Sequence, residues 1–142
     1  MVLKEGLYGT VGLQLFCEKC YMKHTRIGWP SQNEEIEEVD LVGYSWFLKR
    51  EWLSAYWRDI TPSQDFDFMG EDMHMSFAIQ KYLDLQTFIQ PHPMHDMPLW
   101  GNIASSRGMD KNAISLTGQA SRMDFAVKRL CALGWNLKYL RR

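Results

Sequence analysis

Two adjacent carboxylates, Glu71 and Asp72, follow Gly70 and open the segment EDMHMSFAIQKYL. A helix start favours negative charge, because its unpaired N–H groups and the macrodipole both attract anions. Asp72 precedes Met75 by three residues and Ile79 by seven, so it heads the apolar face of that helix. A carboxylate held there can take a proton from a bound hydroxyl, or it can simply cap the helix. His92, between Pro91 and Pro93, is followed by His95 and Asp96, with His74 upstream. Imidazoles and a carboxylate could share a divalent cation, or the loop histidines could be merely solvated. Cys17 and Cys20 sit two residues apart, with His24 behind them and Cys131 far along the chain. That is half of a zinc site. Glu18 and Lys19 between the cysteines do not suit a thioredoxin-type motif, so chance spacing explains the pair. Asp65-Phe66-Asp67 is a literal D-x-D, a pattern any acidic loop can produce. The chain lacks the phosphate-binding G-x-x-x-x-G-K-[ST] loop, the dinucleotide G-x-G-x-x-G fingerprint and the hydrolase G-x-S-x-G elbow.

The elements that must position these groups follow from hydrophobic period and punctuation. Residues 7–16 mix apolar residues with Gly9 and Gly12 and predict a strand or two with a turn. Residues 18–38 are polar, hold Gly28 and Pro30, and read as an exposed connection. IEEVDLVGYSWF predicts a strand interrupted at Gly43, which implies a bulge or a close ligand approach. KREWLSAYWRD places Leu53, Tyr56 and Trp57 at helical spacing, a short amphipathic helix of about three turns. Residues 60–69 read as a loop. After Gly70 comes the clearest helix, with Met75, Ala78, Ile79 and Tyr82 as its inward stripe. QTFIQ predicts a short strand, and a long connection follows it. A last helix spans residues 121–133, with Ser121 and Asp124 in capping-box spacing and Gly134 as its stop. Short strands alternating with helices give a mixed class, α/β or α+β, in one domain over residues 1–142.

Composition sets the outer limits. The 142 residues carry 16 Lys and Arg against 17 Asp and Glu, for a net charge of −1. Binding to nucleic acid by phosphate neutralisation is therefore not expected. With 46% hydrophobic and 23% charged residues, the chain has the means to build a core. No apolar run is long enough to span a membrane, and MVLKEGLYGTVGLQLF has no clear signal cleavage site. Three cysteines form no even disulfide framework, which points to a reducing compartment. Six Trp, six Tyr and seven Phe supply flat surfaces for sugars, bases or a core.

Taken in order, VDLVGYSWFLKREWL, GEDMHMSFAIQKY and TFIQPHP resemble the C-terminal, acceptor-side half of GT-A glycosyltransferases, most of all the family-2-like members. The likeness covers residues 37–100. It implies a partial GT-A fold within the α/β class, with short mixed strands and about three helices. Gly43, Tyr44, Ser45 and Trp46 match the loop lining the donor-sugar and acceptor cleft. Asp72 matches the general base, with Glu71 beside it, and His92 matches a histidine that helps hold Mn²⁺ or Mg²⁺ at the nucleotide diphosphate. The implied activity is transfer of a sugar from a nucleotide-sugar donor to a glycan or other hydroxyl acceptor. Its implied setting is cytoplasmic, including the inner face of a membrane as a peripheral protein.

The family's D-x-D lies in a nucleotide-binding half that precedes the matching region, and Asp65-Phe66-Asp67 falls on the wrong side of the glycine loop to replace it. The resemblance therefore predicts an acceptor-side portion that is inactive alone, with a separate donor-side polypeptide as partner. A non-catalytic remnant or interaction module is the reading from another class. A zinc module on Cys17, Cys20, His24 and Cys131 is a third.

Overall fold

The computed structural model describes residues 4–28, 32–58, 70–93, 95 and 120–141. These described residues form a mixed α/β structure of two small sheets and three helices. Strand β1 (Gly6–Gly9) runs straight into β2 (Val11–Leu15), with Thr10 alone between them. The chain then forms β3 (His24–Gly28), β4 (Glu37–Val39) and β5 (Leu41–Gly43). A 3₁₀ turn at Arg50–Trp52 leads into α1 (Leu53–Tyr56), and α2 (Glu71–Leu83) precedes β6 (Gln86–Ile89). Helix α3 (Ala120–Ala132) and a 3₁₀ turn at Lys138–Leu140 complete the described elements.

The first sheet has the order β1-β6-β4 and the second β3-β2-β5. β1 pairs parallel to β6, with Leu7 opposite Thr87, while β4 lies antiparallel to β6. In the second sheet all pairs are antiparallel, with Val11 opposite both Gly28 and Gly43. The chain changes sheet twice through a single residue, at Thr10 and at Asp40. Such a corner needs the two sheets very close. Gly12 permits it: a Cβ there would meet the Leu41 carbonyl, Ile89 and Val39, each at 2.8 Å.

Helix α2 is the spine. Every residue from Met73 to Ile79 is buried, so it is clad on all sides through its first two turns. On one side Met73, Phe77 and Ala78 pack with Leu13, Leu15 and Leu41 of the second sheet, with Val127 and Leu130 of α3, and with Trp135. On the other, Met75 and Ile79 pack with Leu7, Val39, Val42, Ile89 and Trp52. Glu71 and Asp72 occupy its first turn, where the dipole favours acids. It ends where Asp84 turns left-handed at φ 54 and the Leu85 N–H reaches back to the Ile79 carbonyl. Helix α3 ends similarly. Gly134 takes φ +101, its N–H donates to the Cys131 carbonyl, and the Trp135 N–H donates to that of Leu130, the paired bonds of a Schellman stop.

Four sequence expectations are corrected. The polar stretch holds β3, whose Thr25, Arg26 and Ile27 pair with Gln14, Leu13 and Gly12. IEEVDLVGYSWF is not one strand broken at Gly43; it is two strands in different sheets, separated at Asp40. The helix read at KREWLSAYWRD shrinks to a 3₁₀ turn and one α turn. Its buried residues are Trp52 and Ala55, while Leu53 and Trp57 face solvent. Ser121 lies inside α3 and forms no capping box, and Asp124 instead accepts the Tyr21 N–H at 2.6 Å. The loop at residues 60–69, including Asp65 and Asp67, lies outside the described residues, as does most of the long connection after Pro93.

Candidate functional site

Asp72 begins with a constrained backbone. The Gly70 carbonyl accepts the His74 N–H, and Gly70 itself is left-handed at φ 115, so the chain turns sharply into α2. The Asp72 Oδ1 accepts the N–H of Met73 at 2.8 Å, which satisfies one orphan donor of the first turn. Its Oδ2 points toward β5: a Cβ added to Gly43 would lie 3.5 Å from it. The two residues named by the sequence thus face each other.

Ser76 and Val42 fix that arrangement. The Ser76 hydroxyl donates to the Asp72 carbonyl at 2.8 Å and accepts the Val42 N–H at 3.0 Å. The Val42 carbonyl in turn accepts the Trp46 indole N–H at 3.2 Å. One residue of β5 therefore holds the start of α2 on one side and Trp46 on the other. Between them the Ser45 N–H donates to the Gly43 carbonyl at 3.0 Å and closes a three-residue turn around Tyr44. Tyr44 has φ 65, a left-handed conformation that is costly for a bulky residue and is found where the surroundings impose it.

Two hollows meet at this point. One, of about 260 Å³, is bounded by Gly43, Tyr44, Glu71, Asp72, Tyr21 and Arg26, with β2 as its floor. The other, of about 500 Å³, is lined by Tyr44, Trp46, Glu71 and Asp72. Asp72, Glu71 and Tyr44 belong to both. Burial pushes the Asp72 carboxyl up to about 6; the Met73 N–H opposes this and the charge of Glu71 adds to it. Tyr21 is pushed up as well, first by burial and then by the charge of Asp72, while Arg26 pulls it down. A carboxylate titrating near neutrality, with one oxygen turned to an open hollow, is equipped to accept a proton.

His92 is placed differently. Its backbone N–H donates to the Asn33 carbonyl at 2.7 Å, and its Nδ1 lies 3.1 Å from the Asn33 Oδ1. The ring is fully buried, burial lowers its pKa, and Nε2 has no hydrogen-bond partner among the described residues. It lines neither hollow at Asp72. His74 is also removed from the proposed cluster, because its Nε2 lies 2.7 Å from the Tyr56 carbonyl and its ring packs edge-on to Tyr56. His95 is exposed, and Asp96 lies outside the described residues. Among the described residues no group of three or more His, Cys, Asp or Glu side chains could hold a metal ion. The described residues thus do not fit the cation that the resemblance implies, nor a zinc module, and no step below passes through a metal.

The structure adds two residues that the sequence reading passed over, Tyr21 and Arg26. Both fell in the stretch read as an exposed connection. HTRIG has no apolar–polar alternation to mark it as a strand, so its pattern carried no signal. No helix among the described residues is long and apolar enough to cross a membrane. Comparison with known proteins brings no match, whether with protein-family models, curated proteins or solved structures.

Proposed function

We propose that this chain is the acceptor side of a glycosyltransferase, in which Asp72 removes the proton from a saccharide hydroxyl. One observation carries the reading: the Oδ2 of a carboxylate titrating near 6 opens toward Gly43 between two hollows that share Tyr44, Glu71 and Asp72. The bare Cα of Gly43 lets a sugar ring approach that oxygen, and Trp46 and Tyr44 offer faces for its apolar side. Glu71 keeps the neighbourhood negative, which raises the affinity of Asp72 for the proton it takes. Ser45 serves through its backbone, closing the turn that presents Tyr44. A nucleotide sugar would be the donor.

The test is incubation of the chain together with a D-x-D-bearing donor-side polypeptide, a panel of nucleotide sugars, divalent cation and saccharide acceptors, with transfer read by mass spectrometry. Transfer by the natural chain that falls by about 10²–10⁴ in Asp72→Asn supports the base. Undiminished transfer by that variant removes it. The second reading, a binding module without chemistry, is favoured by the separation of His92 from both hollows. It predicts saturable saccharide binding with no transfer under any combination.

A further inference from the structure

The tip of the β2–β3 hairpin holds two cysteines that the site at Asp72 does not use. Leu15 pairs with His24, and just beyond them the Phe16 N–H donates to the Lys23 carbonyl at 2.9 Å, so the base of the loop is closed. Within it the Lys23 N–H donates to the Cys20 carbonyl at 3.0 Å, and the Lys19 N–H donates to the Cys17 Sγ at 3.4 Å. The Cys17 and Cys20 sulfurs are near enough to shift each other's ionisation in opposite directions. Both cysteines are partly exposed and free. The two cysteines that looked like coincidence in sequence thus share one pinned loop, with the Lys19 N–H directed at the Cys17 sulfur.

We propose that Cys17 and Cys20 form a thiol–disulfide exchange site for small-molecule disulfides, with Cys17 as the attacking sulfur and Cys20 as the resolving one. The two differ in the direction this requires. The neighbouring Cys20 sulfur, then the Lys19 N–H at 3.4 Å and, more weakly, the charge of Lys23 lower the Cys17 thiol, while the neighbouring Cys17 raises Cys20. Cys131, half-buried on α3, is pushed up to about 12 by its burial and serves as an internal control. In the first step the Cys17 thiolate attacks one sulfur of an external disulfide. A Cys17–S–S–R bond forms, the external S–S bond breaks, and the departing thiolate takes up the proton that Cys17 lost. In the second, Cys20 loses its proton and attacks the Cys17 sulfur, forming the internal disulfide and releasing a second thiol. The two cysteines are oxidised together, and one external disulfide is reduced to two thiols.

The proposal does not depend on glycosyl transfer, and its test reads only sulfur chemistry. The full chain is equilibrated with mixtures of oxidised and reduced glutathione, quenched in acid, alkylated and mapped by mass spectrometry. A peptide containing Cys17 and Cys20 should lose two hydrogens while Cys131 remains alkylatable. In Cys20→Ser a glutathione adduct should accumulate on Cys17. In the reduced natural chain at pH 7, iodoacetamide should modify Cys17 at least about tenfold faster than Cys131. A Cys17–Cys131 link, an adduct on Cys131 alone, zinc held at these sulfurs, or three thiols that stay reduced at every glutathione ratio would overturn the proposal. The mapping and the rate comparison use the natural chain, so they decide the matter even if Cys20→Ser does not fold.

Discussion

At Asp72 the local chemistry works against stability. Its folded pKa, about 6, lies above the ordinary value of 3.8, so the native state binds the proton more tightly than the unfolded chain does. Stability therefore falls as pH rises from about 4 to about 6, and the cost of holding the charge is fully present at pH 7. A shift of about two units corresponds to about 3 kcal/mol. The helix dipole returns up to about 1 kcal/mol of it. Burial wins, and Asp72→Asn should stabilise the chain at pH 7 by about 1–2 kcal/mol, raising Tm by about 3–8 °C. An asparagine oxygen can still accept the Met73 N–H, so the first turn keeps its cap. The gain should shrink toward pH 4, where the natural carboxyl is neutral too. Thermal melts of both forms from pH 4 to 7.5 check this, and the difference between them isolates Asp72 from Asp40, which burial also raises. A less stable Asp72→Asn at pH 7 would make the carboxylate a structural cap rather than a group retained for chemistry.

At the level of elements, Asp40 does what no periodicity could announce. It is fully buried at the corner between β4 and β5, with Oδ2 accepting the Leu15 N–H at 2.7 Å and Oδ1 the Lys138 N–H at 2.5 Å. Its carbonyl accepts from Gln80 of α2, whose side-chain oxygen takes the Trp135 indole N–H. One aspartate thus joins both sheets, the central helix and the C-terminal segment. Asp40→Ala would strand the buried Leu15 N–H and the part-buried Lys138 N–H at about 1–3 kcal/mol each, a loss of about 2–6 kcal/mol in urea unfolding. Asp40→Asn should lose a comparable amount, because its amide nitrogen would face an N–H donor. The sequence revealed the elements that rest on local pattern. The span of α2, the strand before Pro91 and the glycine stop of α3 were all legible, since period and punctuation are local properties; the single inward stripe expected on α2 was not found, because every residue from Met73 to Ile79 is buried. The break at Asp40 was not, because nothing within VDLV marks a boundary and only the pairing of Val39 with β6 and of Leu41 with β2, far away in sequence, divides it. Strand β3 was hidden by its polar composition, and with it Tyr21 and Arg26. The pairing of Gly43 with Asp72 was anticipated through the resemblance. The separation of His92 from the hollows depends on Asn33, a contact that spacing does not encode.

For the whole molecule, the deciding feature is that α2 is shared by two apolar clusters, which β5 also joins by giving Leu41 to one and Val42 to the other. Leu130 of α3 lies in one, and Leu7 of β1 in the other. If the shared helix couples them, the described structure should unfold as one unit, because neither cluster keeps its wall when α2 leaves. Leu130→Ala removes a fully buried side chain and should cost about 2–5 kcal/mol. Native-state hydrogen exchange then separates two outcomes. In a single unit, the most protected amides of β1 and β6 should lose the same free energy as those of α3, although no atom near them has changed. If the clusters unfold separately, protection should fall in α3 while β1 and β6 keep theirs. The first outcome is expected, since Met73 and Phe77 on one side alternate with Met75 and Ile79 on the other along two turns of a single helix. The site at Asp72 opens that same helix. Substitutions in either cluster should therefore loosen the contact between Asp72 and Gly43, whereas surface changes on α3 should leave it alone.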